Sequence, residues 1–212
     1  MKNKKEVQAQ ARQERKEQQK INKNTFLMRN KGEKIKTPTI LIVCEGENTE
    51  PSYFEQFKLT SATIIGEGYN AVSLVKQAEK LSKEKDYDQV WCVFDKDDFV
   101  DFDNAIQKAK ALGFEVACSN QAFEYWLILH FEDHQGGQMN RKDYYKKINN
   151  YLKKHQIKYD KDKKEISPEF FAILMKTKEL AIKRAKKIHL NNQNKESSST
   201  VFKLVEEIEK HI

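Results

Sequence analysis

Thr39-Ile-Leu-Ile-Val-Cys44 runs into Glu45-Gly-Glu-Asn-Thr-Glu50, and Val90-Trp-Cys-Val-Phe94 runs into Asp95-Lys-Asp-Asp98. Both are short apolar runs, rich in β-branched and aromatic residues, that stop at a cluster of acids. Such runs read as strands buried on both faces of a parallel sheet. Ligands of these sheets sit beyond the carboxyl ends of the strands. Acids gathered there repel one another and titrate upward unless a hard cation neutralises them. Donors that are all oxygen suit Mg²⁺ or Mn²⁺. A metal-dependent phosphoryl-transfer enzyme is the leading expectation.

Outward from these runs, strand and helix signals alternate. A helix opens near Thr49, with Glu50 and Pro51 in its first turn and Tyr53, Phe54 and Phe57 available for burial. A brief strand at 61–65 leads to an amphipathic helix at 71–85, with Val72, Leu74, Val75, Ala78 and Leu81 toward the sheet. The strand at 89–94 is followed by a helix at 101–112, ended by Gly113, and a strand at 114–118. Residues 122–131 are too apolar for a surface helix and are expected to be buried. This order implies an α/β fold, a doubly wound parallel sheet flanked by helices. After Gly136-Gly137 no strand is expected. Helical patterns cover 141–154, 168–189 and 200–210, the last capped by the serine run 197–199. Lys176, Lys183, Arg184 and Lys187 are expected to point outward.

Charge divides the chain more sharply than its net +7 suggests. Residues 1–37 carry 12 basic against 4 acidic side chains, a net +8, and residues 38–138 carry 8 against 18, a net −10. Residues 139–190 carry 16 against 6, a net +10. An acidic centre between basic arms suits a protein that cleaves nucleic acid, because the arms hold phosphates that bare carboxylates repel. Solvated helix faces remain the alternative reading of the C-terminal lysines. Hydrophobic residues make up 38% and charged ones 33%, so part of the chain is expected to be a solvated arm, residues 1–37 above all. Cys44, Cys92 and Cys118 show no CxxC spacing and are expected to be reduced core thiols. No run approaches the roughly 20 apolar residues of a membrane span, and the N-terminus lacks an apolar signal core, so a cytoplasmic protein without membrane contact is expected.

A strand ending in Glu45-Gly46 with a later strand ending in Asp95-Lys-Asp97 resembles the Toprim fold of topoisomerases, primases and OLD-type nucleases. The resemblance implies a metal site of Glu45, Asp95 and Asp97. Glu45-Gly-Glu-Asn-Thr-Glu-Pro-Ser-Tyr-Phe54, Phe94-Asp-Lys-Asp-Asp98 and Ser119-Asn-Gln-Ala-Phe-Glu-Tyr-Trp-Leu-Ile-Leu-His-Phe131 look, in order, like the blocks of the RloB-like branch. Gln121 stands where that pattern has proline, and is read as a loop variation. The resemblance implies a role in prokaryotic defence against phage, beside a separately encoded ATPase. It assigns a Toprim-like catalytic domain to 38–135 and a basic helical extension to 136–212.

Read from the residues, the acids are not equal. Glu45 and Asp95 follow their strands directly, and Asp97 can point into the same space. Glu50 is either a further ligand or only a partner of its helix dipole. Glu47 and Asp98 are read as solvated loop acids. Glu124 lies between Phe123 and Trp126, where an unpaired charge is costly, so it is expected to face the site. Glu45 is alternatively the base. Lys96 and Lys58, with Lys142, Lys146, Lys183 and Lys187 of the basic helices, are expected to hold the DNA or RNA backbone.

Other motifs carry less. Gly66-Glu-Gly68 with Ala71 mimics a dinucleotide fingerprint, but Glu67 repels a pyrophosphate. His130 and His134 have the spacing of a helical metal pair without the glutamate or cysteines of a zinc site, and are read as packed histidines near the pocket. No P-loop occurs, and a phosphoacceptor receiver would lack all but its hydroxyl, Ser119. A non-catalytic subunit that senses metal or nucleotide is the alternative to a nuclease.

Overall fold

Five consecutive buried apolar residues make β1 (Ile40–Cys44), the second strand of the sheet. It pairs in parallel with β2 (Ala62–Gly66) on one side and β3 (Gln89–Asp95) on the other, with Cys44 beside both Gly66 and Val93. β4 (Glu115–Asn120) runs parallel to β3 and sets Ser119 beside Asp95. With β5 (Ser198–Ser199) the strand order is β2-β1-β3-β4-β5. Side chains alternate across the pleat. Ile40, Ile42, Cys44, Trp91 and Val93 therefore enter one core, while Leu41, Val43, Val90, Cys92 and Phe94 enter another. Burial on both faces is why β1 and residues 90–94 of β3 are apolar at every position.

The computed structural model describes residues 37–212 except 69, 97–100, 135, 138, 140 and 192–196, and Pro38–Ile212 forms one compact unit. The basic arm of residues 1–36 lies outside the described residues. α1 (Thr49–Glu55) follows β1 and buries Tyr53 and Phe54 in the first core. α2 (Ala71–Leu81) starts at Asn70, whose Oδ1 accepts from Ser73 N at 3.0 Å, and turns Leu74, Val75 and Ala78 into the second core. α3 (Phe102–Ala111) adds Phe102, Ala105 and Ala109 to it, and ends before Gly113, which takes φ +74°. α4 (Glu124–Leu129) is buried at every position, as its apolar sequence requires.

The remaining helices cover the first face. They are α5 (Arg141–Leu152), continued by a 3₁₀ turn at Lys153–His155, then α6 (Pro168–Met175), α7 (Lys178–Leu190) and α8 (Val201–Glu209). Tyr144, Ile148, Phe170, Ala181, Ala185, Leu204 and Val205 all join the core that holds Ile40 and Trp91. Residues 136–212 thus share a core with 38–135.

Several expectations need correction. The pattern at 168–189 is two helices, not one. The Leu174 carbonyl accepts from Thr177 N at 3.0 Å, from Thr177 Oγ1 at 3.3 Å and from His130 Nδ1 at 2.9 Å. So crowded an acceptor ends α6, and a new helix starts past Thr177. Arg184 does not point outward; its Nη1 donates to Leu129 O at 2.7 Å and closes the end of α4. The serine run supplies a strand, not merely a cap. Ser198 and Ser199 pair antiparallel with Asn120 and Ser119, and Ser199 Oγ still accepts from Val201 N at 3.3 Å. α2 ends at Leu81, four residues before expected.

All three cysteines are free, and burial pushes the Cys92 thiol up to about 12. Among the described residues no helix is long and apolar enough to cross a membrane.

Candidate functional site

The register of β1 on β3 continues past the last paired residues: Glu45 N donates to Val93 O at 2.8 Å. Glu45 then folds its carboxylate across the strand end, where Oε2 accepts from Asp95 N at 3.0 Å. Two acids 50 residues apart in sequence are joined by a strand pairing. A cleft of about 230 Å³ opens beyond them, lined by Glu45–Glu50 of the β1–α1 turn, Gly68, Asp95, Glu124 and Lys164. Its described lining holds the carboxylates of Glu45, Glu47, Glu50, Asp95 and Glu124 against one lysine, Lys164.

Glycines give these carboxylates room. A Cβ on Gly46 would stand 2.1 Å from Glu50 Oε2, so any other residue here displaces Glu50. A Cβ on Gly66 would meet Gly46 O at 2.7 Å and Pro51 Cγ at 2.8 Å. Gly68, at φ +65°, lies under Glu47 Oε1. The Gly66-Glu-Gly68 stretch thus serves close approach to the acidic turn.

Glu50, Asp95 and Glu124 are only 5%, 9% and 3% exposed. Buried carboxylates need partners. Glu124 Oε1 accepts from Tyr159 Oη at 3.1 Å, and Tyr159 Oη lies 3.0 Å from Thr49 Oγ1. Thr49 Oγ1 in turn donates to Lys164 O at 2.9 Å. Burial first, then the charge of Glu124, push the Tyr159 phenol far above its ordinary range, so it remains a donor. Sequence reasoning missed Thr49, Tyr159 and Lys164. The signal available was a single tyrosine in the lysine-rich stretch 153–164, where an aromatic ring needs a surface to cover it.

The donor chemistry fits Mg²⁺ or Mn²⁺: five carboxylates, with no thiol or imidazole in the described lining. Among the described residues no group of three or more His, Cys, Asp or Glu stands ready to hold an ion. Asp97 and Asp98 lie outside the described residues. Glu45, Asp95, Glu50 and Glu124 are brought to one cleft, and Glu47 sits on its exposed rim.

The expected backbone-binding lysines are placed elsewhere. Lys96 donates its N–H to Ser119 O at 2.7 Å, and its Nζ lies 5.5 Å over the Phe102 ring, not in the cleft lining. Lys58 follows the C-terminus of α1, the end opposite the cleft, at φ +54°. Lys142 and Lys146 on α5 and Lys183 on α7 are exposed. Lys187 reaches Asp133 Oδ2 at 3.4 Å. His130 is buried against Trp126, ring centroids 5.0 Å apart, and His134 accepts from Gly136 N through Nδ1. Neither histidine lines the cleft.

A mostly parallel α/β sheet with an acidic cleft at the carboxyl ends of its central strands is the class this structure defines. A model of the RloB-like protein family matches residues 40–208, and the chain belongs to that family. No curated protein and no solved structure matches it.

Proposed function

We propose that this chain is a Toprim-type, Mg²⁺- or Mn²⁺-dependent nuclease that hydrolyses phosphodiester bonds of DNA or RNA. The observation that carries the reading is the meeting of half-buried Glu45 with buried Asp95 at the carboxyl ends of β1 and β3, in a cleft that also holds buried Glu50 and Glu124. A bound ion there supplies charge neutralisation and stabilises negative charge on the attacking and leaving oxygens. Glu45 and Asp95 offer hard donors at adjoining strand ends, with Asp97 the third acid of the resembled pattern. Glu50 and Glu124 stand behind them in the same cleft. Glu45, oriented by Asp95 N, is alternatively the base that takes the proton of the attacking water. Lys164 holds a phosphate at the cleft, and the exposed Lys142, Lys146 and Lys183 hold flanking backbone. The resemblance to RloB-like proteins supports a toxic effector of prokaryotic anti-phage defence, in the cytoplasm, controlled by a separate ATPase.

Glu45→Gln tests this. It keeps size and hydrogen bonding while removing a charge, so cleavage should fall by about 10²–10³, roughly 3–4 kcal/mol of barrier, with folding and ATPase co-purification intact. Cellular toxicity or phage restriction should disappear with it. A second reading, a non-catalytic metal- or nucleotide-sensing subunit, is favoured by the lack of a ready three-donor set among the described residues. Undiminished protection by Glu45→Gln would select it.

A further inference from the structure

Tyr159 lies outside the strand-and-helix half of the chain, yet everything around it serves to hold one oxygen in place. Its backbone is gripped on both sides by one side chain: Tyr159 N donates to Asn149 Oδ1 at 2.8 Å, and Asn149 Nδ2 donates to Tyr159 O at 2.9 Å. Its ring stacks on Tyr145 at 5.4 Å, with planes 14° apart, and leans on Phe170 at 5.7 Å. The residue is 1% exposed. The only polar atom of this side chain is the phenolic oxygen, which sits between Glu124 Oε1 and Thr49 Oγ1.

Proton counting decides what that oxygen does. Tyr159 and Thr49 bring two hydroxyl protons to three contacts. The Thr49 proton goes to Lys164 O at 2.9 Å, leaving the Tyr159 proton for the carboxylate, the strongest acceptor present. Glu124 is thereby anchored through Oε1, at the start of a helix buried at every position.

We propose that Tyr159 is a positioning residue of the acidic cleft: it orients the Glu124 carboxylate toward a hard divalent cation. The inference rests on the metal reading of the site. It makes the cleft dependent on the chain beyond residue 136, since Asn149 holds the Tyr159 backbone and Thr49 fastens the Lys164 carbonyl of the same loop to the first residue of α1. Fixing a ligand from outside is a recurrent device of metal sites, and loss of such a partner commonly weakens affinity roughly 10–100-fold.

The test is a calorimetric titration of Mn²⁺ into the full chain. Tyr159→Phe keeps the ring and its packing, so the metal-free melting temperature should hold while Mn²⁺ affinity drops roughly 10–100-fold. Glu124→Gln should weaken Mn²⁺ as much, and the double variant no more than Glu124→Gln alone, because the two residues act as one unit. If Tyr159→Phe fails to fold, Asn149→Ala, which releases the Tyr159 backbone without touching the cleft, should weaken Mn²⁺ in its place. Wild-type affinity in Tyr159→Phe, or in Asn149→Ala where that variant replaces it, or additive losses, would overturn the role of Tyr159. A wild-type chain that takes up no Mn²⁺ would overturn the metal reading itself, and this inference with it.

Discussion

The two faces of the sheet are covered by different kinds of chain. Over Leu41, Val43 and Cys92 lie two short helices contributing Ala71, Ala78, Ala105 and Ala109 beside Leu74, Val75 and Phe102. Both helices are local, each directly preceding or following β3. Over Ile40, Ile42 and Trp91 lie Tyr53, Phe54, Phe123, Trp126, Tyr144, Tyr159 and Phe170, drawn from helices and loops across the chain. Small residues allow close packing of neighbours in sequence; the broad aromatic layer fills space left by distant segments. The candidate site takes Glu45 and Asp95 from the sheet itself, but Glu124, Tyr159 and Lys164 from the aromatic side. Perturbations on that side should therefore reach the site, and perturbations on the other should not.

The largest effect is expected from Trp126→Ala. It empties the centre of the aromatic layer two residues after Glu124, and should cost about 3–5 kcal/mol in a urea titration. Mn²⁺ affinity should fall with it. Leu74→Ala, fully buried in the alanine-rich core, should cost less, about 2–3 kcal/mol, and leave Mn²⁺ binding at the wild-type level. If Leu74→Ala loosens the site as much as Trp126→Ala, the faces are not independent.

His130 sharpens the contrast through pH. Burial chiefly, and Arg184 further, push its imidazole down to about 3, while the hydrogen bond to Leu174 O opposes them. The unfolded chain takes up that proton near the ordinary value of about 6.5. As pH falls from there toward 3, the unfolded state binds one more proton than the folded one, so stability is lost through that window and not above it. The slope due to this residue is about 1.4 kcal/mol per pH unit. His130→Leu should remove that slope from stability measured between pH 6 and 4 (about two units of the window). An unchanged slope would place the acid-sensitive group elsewhere.

Lys164→Ala is expected to act least on the fold, since the side chain is exposed and its backbone contacts remain. Its effect belongs to the ligand: oligonucleotide affinity should drop several-fold and the salt slope by about 0.7–0.9, one phosphate contact. An unaltered salt slope would separate Lys164 from the backbone-binding set.

Much of this was open to inspection in one dimension. The apolar runs at 40–44 and 90–94 read as strands buried on both faces, and the acids after them were expected to meet at one end of the sheet. The burial of Glu124 followed from the apolar residues around it. Arg184 and His130 were not legible, because their partners are carbonyls, and every residue has a carbonyl. The Leu129 and Leu174 oxygens are singled out only by the helices that bring them 55 and 44 positions along the chain to those side chains. The two-residue β5 is too short to show a period, and pairs only because β4 offers Ser119 and Asn120.

Strands, helices and the acidic cluster follow from residue type and spacing, since hydrophobic periodicity and charge repulsion act along the chain. Tyr159 at Glu124, Lys164 at the cleft and the displacement of Lys58 and Lys96 from it do not. They depend on how a loop more than 100 residues past Thr49 settles against the start of α1, where the Thr49 hydroxyl finds the Lys164 carbonyl and the Tyr159 hydroxyl finds the Glu124 carboxylate. Such matching is decided by the geometry of packing, which no local pattern encodes.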